Sequence, residues 1–414
     1  MKIENIADFK NPYRPGAGHM PIFLAGRNRE IATFQTLLRQ DVILDNPLIT
    51  GLRGVGKTVL LEKLKPVALS EGWLWVGGTE LSESVSISED NLVIRLIADL
   101  SIVGSGISQT VSNGDTQAGF ATTHPPKNNV WNYATLTQLY DETPGLHSDK
   151  LKAVLEGVAG DVREAGKKGI VFAYDEAQNL ADNPSKDRYP MSLLLDVFQS
   201  IQRKGVPFLL ALAGLPTIQT RLTESRTYTE RMFHILYLDR LSKEDTRDAI
   251  QKPLEIENCP YPFADASIDT VCNISGGYPY FIQFICKEAY DTWVQQHKTE
   301  GKLDAIPVEE ILRKLDTDFY AGRWGLVTDR QRDVLRVIAQ MGIHEGEFTV
   351  SEIVTASEKY LVNPFANSRV SAILTSLIKL GLIFRNRHGK YCFAVPMFGQ
   401  FILRHLNDGP DLIR

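Results

Sequence analysis

The chain has 414 residues, 43% of them hydrophobic and 23% charged, and a formal net charge of −5. That length exceeds one ordinary domain, and the composition excludes a disordered chain, which could not bury a core. The charge excludes a generally basic nucleic-acid binder, and no apolar run approaches the ~18 residues a membrane-spanning helix needs.

The opening stretch "MKIENIADFKNPY" has no apolar segment of secretory type, so a cytoplasmic location is expected. Cys259, Cys272, Cys286 and Cys392 have no metal-ligand spacing and are expected as reduced, mostly buried small hydrophobes.

In chain order, "NPYRPGAGHMPIFLAGRNREI" is loop-like, and a helix follows over 29–39. "NPLIT" is a short apolar strand that feeds the glycine stretch "GLRGVGKT", and helix-compatible sequence runs on to Ser70. "WLWVGG" reads as a second strand and "EDNLVIRLIADL" has helical periodicity. Residues 102–146, rich in Gly, Ser, Thr and Asn, are too long for an ordinary connection and are expected to be an insertion. A helix over 148–165 leads to the strand "GIVFAYDE", then the amphipathic helix "PMSLLLDVFQSIQRK" and the buried strand "PFLLALAGLP". Strands alternating with helices predict an α/β core, a parallel sheet covered on both faces. From Ser242 to about 320 the pattern turns helical, and a third unit runs from about 325 to 407.

Gly51, Gly56, Lys57 and Thr58 match G-x-x-x-x-G-K-[ST]. Glycines let backbone N–H groups turn inward around phosphate oxygens, and the helix that follows directs its positive end at the same anion. Lys57 suits the β- and γ-phosphates and the Thr58 hydroxyl suits Mg²⁺. Asp175 and Glu176 end an apolar strand, where Asp175 can hold the Mg²⁺ shell. Because strand side chains alternate, Glu176 is expected to point elsewhere and to deprotonate an attacking water. The expected site is a triphosphate gripped where two neighbouring strands of one sheet terminate. A solvated glycine turn and two solvated acids are the bland alternative, and the strand-before, helix-after context disfavours it. Hydrolysis also needs positive charge from a neighbour, and Arg221, Arg226 and Arg231 are candidates, Arg231 standing just before the next apolar strand.

"GLRGVGKT", "VFAYDEAQNL", "ALAGLP", "TERMF" and "GGYPYFIQ" occur in the order found in AAA+-type P-loop ATPases. The chain resembles the group that includes origin-recognition-like initiators, transposition ATPases and STAND switch ATPases. That resemblance implies a P-loop core over 1–241 with an adenine-side N-terminal segment, a helical lid over 242–324 and a winged helix over 325–414. It implies ATP/ADP and Mg²⁺ bound through Gly51, Gly54, Val55, Gly56, Lys57, Thr58 and Val59, with Thr58 and Asp175 at the metal. Glu176 is then the base, Arg231 the finger reaching a neighbouring subunit, and Tyr278 and Pro279 the lid element that meets the nucleotide. Two departures from the pattern imply slow, switch-like hydrolysis. The strand at 208–213 ends in "AGLP" where relatives carry a polar sensor, with Thr217 a distant substitute, and Tyr280 stands near the place of a lid arginine.

The C-terminal unit opens on two capping boxes, "TDRQ" and "TVSE". A third helix carries Val370, Ile373, Leu374, Leu377 and Ile378 on one face, and a hairpin follows with its tip near His388 and Gly389. Three helices and a hairpin make a winged helix. From Phe365 to Leu406 there are six basic residues and no acid. Arg369, Thr375 and Lys379 on the helix and Arg385, Arg387 and Lys390 on the wing are the candidate contacts to duplex DNA. Two functions follow: an ATPase whose nucleotide state controls homo-oligomerisation and DNA binding, or a STAND-like switch whose winged helix contacts a protein partner.

Overall fold

The computed structural model describes residues 10–16, 18–80, 88–114, 130–259, 262–296, 305–343 and 346–407. Contacts group the chain into two compact units. One is formed by 27–51 and 57–237, and the other by the residues up to Gly26, 52–56 and 238 onward.

The first unit begins with α1 (Asn28–Leu37), then β1 (Asn46–Thr50), α2 (Lys57–Ser70) and β2 (Leu74–Glu80). After these come α3 (Glu89–Gly114), α4 (Tyr133–Glu142), α5 (His147–Glu164), β3 (Ile170–Asp175), α6 (Pro190–Arg203), β4 (Phe208–Gly214), α7 (Thr217–Ser225) and β5 (Phe233–Tyr237). The stretch expected as an insertion is partly regular. Residues 102–114 continue α3, 133–142 form α4, and 115–129 lie outside the described residues. The small polar residues that suggested a loop are tolerated because apolar side chains such as Leu96, Leu100 and Ile107 keep the helix on the core.

The sheet is wholly parallel, in the order β2-β3-β4-β1-β5. Strands β1, β3 and β4 are buried along their whole length, which explains their unbroken apolar runs. Aromatic pairs such as Phe172–Phe198, with centroids 5.1 Å apart, fill the layer between sheet and helices. Gly77 on β2 has φ +83°, and a Cβ there would lie 2.2 Å from the Ala173 carbonyl oxygen, at the register shift between β2 and β3.

One buried polar cluster interrupts this core. Asn46, fully buried at the start of β1, exchanges amide hydrogen bonds with Gln202 of α6 at 2.9 and 3.2 Å. Its Oδ1 also accepts from the Leu210 N–H at 2.8 Å, and its Nδ2 donates to the Met232 carbonyl at 3.2 Å. Gln202 Nε2 reaches the Phe208 carbonyl at 2.7 Å. The pair thus ties the start of β1 to its flanking segments.

The second unit is helical apart from one hairpin, among the described residues. It contains α8 (Lys243–Ile256), α9 (Asp265–Ser275), α10 (Pro279–Gln296), α11 (Val308–Leu315), a π-turn at Asp316–Tyr320 and α12 (Ala321–Gly325). These lead to α13 (Asp329–Gln340), α14 (Val350–Tyr360), α15 (Asn367–Lys379), the hairpin β6 (Ile383–Arg387) and β7 (Lys390–Phe393), and α16 (Phe398–Asn407). Both capping boxes form, at Thr328 with Gln331 and at Thr349 with Glu352. Val370, Ile373, Leu374 and Leu377 are buried on one face of α15. Phe348 extends the hairpin by exchanging backbone bonds with Tyr391 at 2.9 Å in both directions. In the N-terminal segment Tyr13 is buried, and its hydroxyl donates to the Ile250 carbonyl at 2.6 Å. No helix among the described residues is long and apolar enough to cross a membrane. The cysteines are free, but only Cys286 is fully buried; the other three are half-buried, a correction to the expectation that most lie in the core.

Candidate functional site

The register brings the C-terminal ends of β1, β4 and β3 to one edge of the sheet: Thr50 lies opposite Gly214, and Tyr174 opposite Leu212. The expectation of two neighbouring strands is corrected here. Strand β4 lies between β1 and β3, because the connection after β1 crosses past two strands before β2 joins the far edge. What closes the gap is α2, whose second residue reaches across. Thr58 Oγ1 donates to Asp175 Oδ2 at 2.5 Å.

The chain leaves β1 at Thr50, turns through the glycine stretch and enters α2 at Lys57. Gly54 and Gly56 have φ of +78° and +92°, in the left-handed region where any side chain strains the backbone. Val55 is buried and Val59 half-buried. Lys57 is also buried, and its Nζ donates to the Gly51 carbonyl at 3.0 Å, so the ammonium is folded back over the loop that precedes it. The N-terminus of α2 and the buried Lys57 ammonium are groups that suit a polyanion.

Asp175 is 1% exposed, and both carboxylate oxygens are used. Oδ2 takes the Thr58 hydroxyl, and Oδ1 accepts from the Glu176 N–H at 2.8 Å. Glu176 does not diverge by strand alternation, as the sequence reading supposed. Strand β3 ends at Asp175, and Glu176 adopts a left-handed conformation, φ 50° and ψ 37°, that redirects its side chain. Such a conformation costs a non-glycine residue about 1–2 kcal/mol and persists where surrounding bonds enforce it. One of those bonds comes from Gln178, whose Nε2 donates to Glu176 Oε2. Sequence reasoning passed over Gln178. The signal available was a polar residue two places after Glu176, and the structure buries it at 5% exposure.

The three candidate arginines separate. Arg221 donates to the Gln178 carbonyl, and burial pulls its guanidinium below its usual range. Arg226 holds Asp196 through two bonds at 2.9 and 2.5 Å and also reaches Ser192 Oγ at 2.8 Å. Arg231 is exposed at the end of a short 3₁₀ turn, two residues before β5, an edge strand of the sheet.

In the second unit, Gly276 and Gly277 turn the chain ahead of α10, with Pro279 as its first residue. Tyr278 is buried, and Leu241 N–H donates to the Gly277 carbonyl at 2.8 Å. Tyr280, the second residue of α10, donates its N–H to the Gly54 carbonyl at 3.4 Å. Farther along, Arg369, Thr375, Lys379 and Arg385 are exposed and Lys390 is half-buried. Arg387 is different. Glu347, from the segment before α14, binds its Nε and Nη2 at 3.0 and 2.6 Å. Arg404 is likewise bound to Asp316. The acid-free window from Phe365 to Leu406 is therefore not acid-free in space, because two carboxylates from outside it pair with two of its cations.

No curated protein matches the sequence. Residues 317–402 match a family described as a domain of unknown function (DUF8462). Among solved structures, a Walker-type ATPase of Pyrococcus abyssi superposes with a TM-score of 0.59 at 17% identity, covering 92% of this chain and 96% of its own. The Aeropyrum pernix ORC2 protein, in ADPNP–ADP complexes, superposes with a TM-score of 0.51 at 14% identity, over 94% of this chain and 96% of its own. With its five-stranded parallel sheet, the chain shares the fold of these two solved structures.

Proposed function

We propose that this chain binds and hydrolyses ATP and that its nucleotide state governs self-association and DNA binding. The observation that carries the reading is the 2.5 Å bond between Thr58 and Asp175, which joins the start of α2 to the last residue of β3. Gly51, Gly54, Val55, Gly56 and Val59 shape the cradle, and Lys57 would exchange the Gly51 carbonyl for phosphate oxygens. No cluster of three His, Cys, Asp or Glu side chains occurs among the described residues. One hydroxyl and one carboxylate are instead the sparse donor set that Mg²⁺ uses when phosphates and waters complete its shell. When bound, Mg²⁺ would supply charge neutralisation on the phosphates. Glu176 accepts a proton from the attacking water, and Arg231, exposed beside an edge strand, suits completion of a neighbouring subunit's site.

In this reading residues 1–241 are the ATPase core and 242–324 the lid, where Tyr278 and Pro279 sense the nucleotide. Residues 325–414 are a winged helix that contacts duplex DNA through Arg369, Thr375, Lys379, Arg385 and Lys390. Hydrolysis is slow and resets the assembly. A second reading, a STAND-like switch with a protein partner, is favoured by one feature: Glu347 and Asp316 already occupy Arg387 and Arg404. The deciding experiment is an ATPase assay with and without duplex DNA on wild type and Glu176→Gln. Stimulation by DNA that Glu176→Gln abolishes supports the first reading. Turnover indifferent to DNA, with no DNA affinity at low salt, supports the second.

A further inference from the structure

Gln178 lies on a 3₁₀ turn two residues past Glu176, at the mouth of β3. Its Oε1 accepts from the Leu215 N–H at 3.0 Å, one residue beyond the end of β4. A backbone N–H can only donate, so this bond settles which end of the amide faces β4. Nε2 is left to face Glu176, and it donates to Oε2. One further restraint acts on the same residue: Arg221 of α7 donates to its carbonyl. Gly214 makes room for the amide, since a Cβ there would lie 2.5 Å from Gln178 Oε1. Ala213, Gly214 and Leu215 at the end of β4 carry no polar side-chain group.

We propose that Gln178 is the positioning residue that aims the Glu176 carboxylate and supplies the polar group the end of β4 lacks. The inference rests on Glu176 being the base. Nε2 carries two hydrogens; Glu176 takes one, and the other has no partner among the described residues, which leaves it available to a water or a phosphate oxygen. The end of β4 bonds the Gln178 side chain through Leu215, and α7 bonds its backbone carbonyl through Arg221, so both elements meet at the residue that holds Glu176.

The test uses the full chain with Gln178→Leu and Gly214→Ala, and Glu176→Gln as reference. Turnover, ATP affinity by a fluorescent nucleotide, thermal midpoint and the crystal structure of Gln178→Leu are measured. Gln178→Leu is expected to lower kcat at least about tenfold while ATP affinity stays within about twofold, and to release the Glu176 carboxylate from its place. Gly214→Ala removes no polar group, yet pushes on Oε1, and should lower kcat in the same direction with affinity retained. If Glu176→Gln is inactive while both variants turn over at the wild-type rate with Glu176 unmoved, the positioning role is wrong and the base stands. If Glu176→Gln itself turns over normally, the base assignment is wrong and this inference goes with it.

Discussion

Asn46→Ala should destabilise the sheet unit by about 3–4 kcal/mol. The substitution deletes an acceptor used by the Leu210 N–H and Gln202 Nε2, and a donor used by Gln202 Oε1 and the Met232 carbonyl. Gln202 Nε2 keeps the Phe208 carbonyl, and the Met232 carbonyl keeps the Asn46 N–H at 2.9 Å. The groups stranded in the dry core are therefore the Leu210 N–H and Gln202 Oε1, at about 1–3 kcal/mol each. For a unit of this size that corresponds to a fall in Tm of roughly 10 °C. Calorimetry on wild type, Asn46→Ala, Gln202→Ala and the double variant would measure it. The double variant should cost less than the sum of the singles, because each single strands what the other removes. A change under about 2 °C in Asn46→Ala, or strict additivity, would refute the argument.

Lys57→Ala should abolish ATP binding in a fluorescent-nucleotide titration, since it removes the buried ammonium at the Gly51 carbonyl; undiminished affinity contradicts the cradle. Glu176→Gln should retain ATP and lose turnover by about 10²–10⁴-fold, read in a steady-state phosphate-release assay. Arg385→Ala should weaken DNA binding and lower the salt slope by about one. Arg387→Ala should do less, because Glu347 already neutralises that side chain, whereas Glu347→Ala should strengthen binding. Burial pushes the Asp196 carboxyl up, but bonds from Arg226 and Tyr228 outweigh it and hold the group below its usual range. The unfolded chain then binds the proton more readily, so this stabilisation is present above about pH 4 and is lost as pH falls through the folded value. Arg226→Ala should flatten that acid limb in urea melts between pH 5 and pH 3.

Much of this was legible because the signals were local. "NPLIT", "IVFAYD" and "FLLALAG" read as buried strands since both faces are covered, and the Thr328 and Thr349 caps need only four residues each. The glycine loop and Asp175 were recognisable from spacing, and the structure joins them through Thr58. What escaped depends on distance. Strand order is set by which faces fit, so the placement of β4 between β1 and β3 has no local mark. The Glu347–Arg387 pair links residues 40 positions apart, and a charge window along the chain cannot register it. Glu176 was misjudged for a subtler reason: alternation holds only while the strand lasts, and β3 stops one residue earlier.

The position of β1 has a consequence for synthesis. Both of its partners, β4 and β5, emerge more than a hundred and fifty residues later, with Met232 and Leu210 needed to complete even the surroundings of Asn46. On the ribosome the loop that would hold nucleotide is made early, yet its strand has no sheet to join until Phe208–Gly214 has left the exit tunnel, and one flank stays open until Phe233–Tyr237 follows. A nascent chain halted before that point would present β1 with an open flank, a surface that invites a chaperone or another unfinished copy.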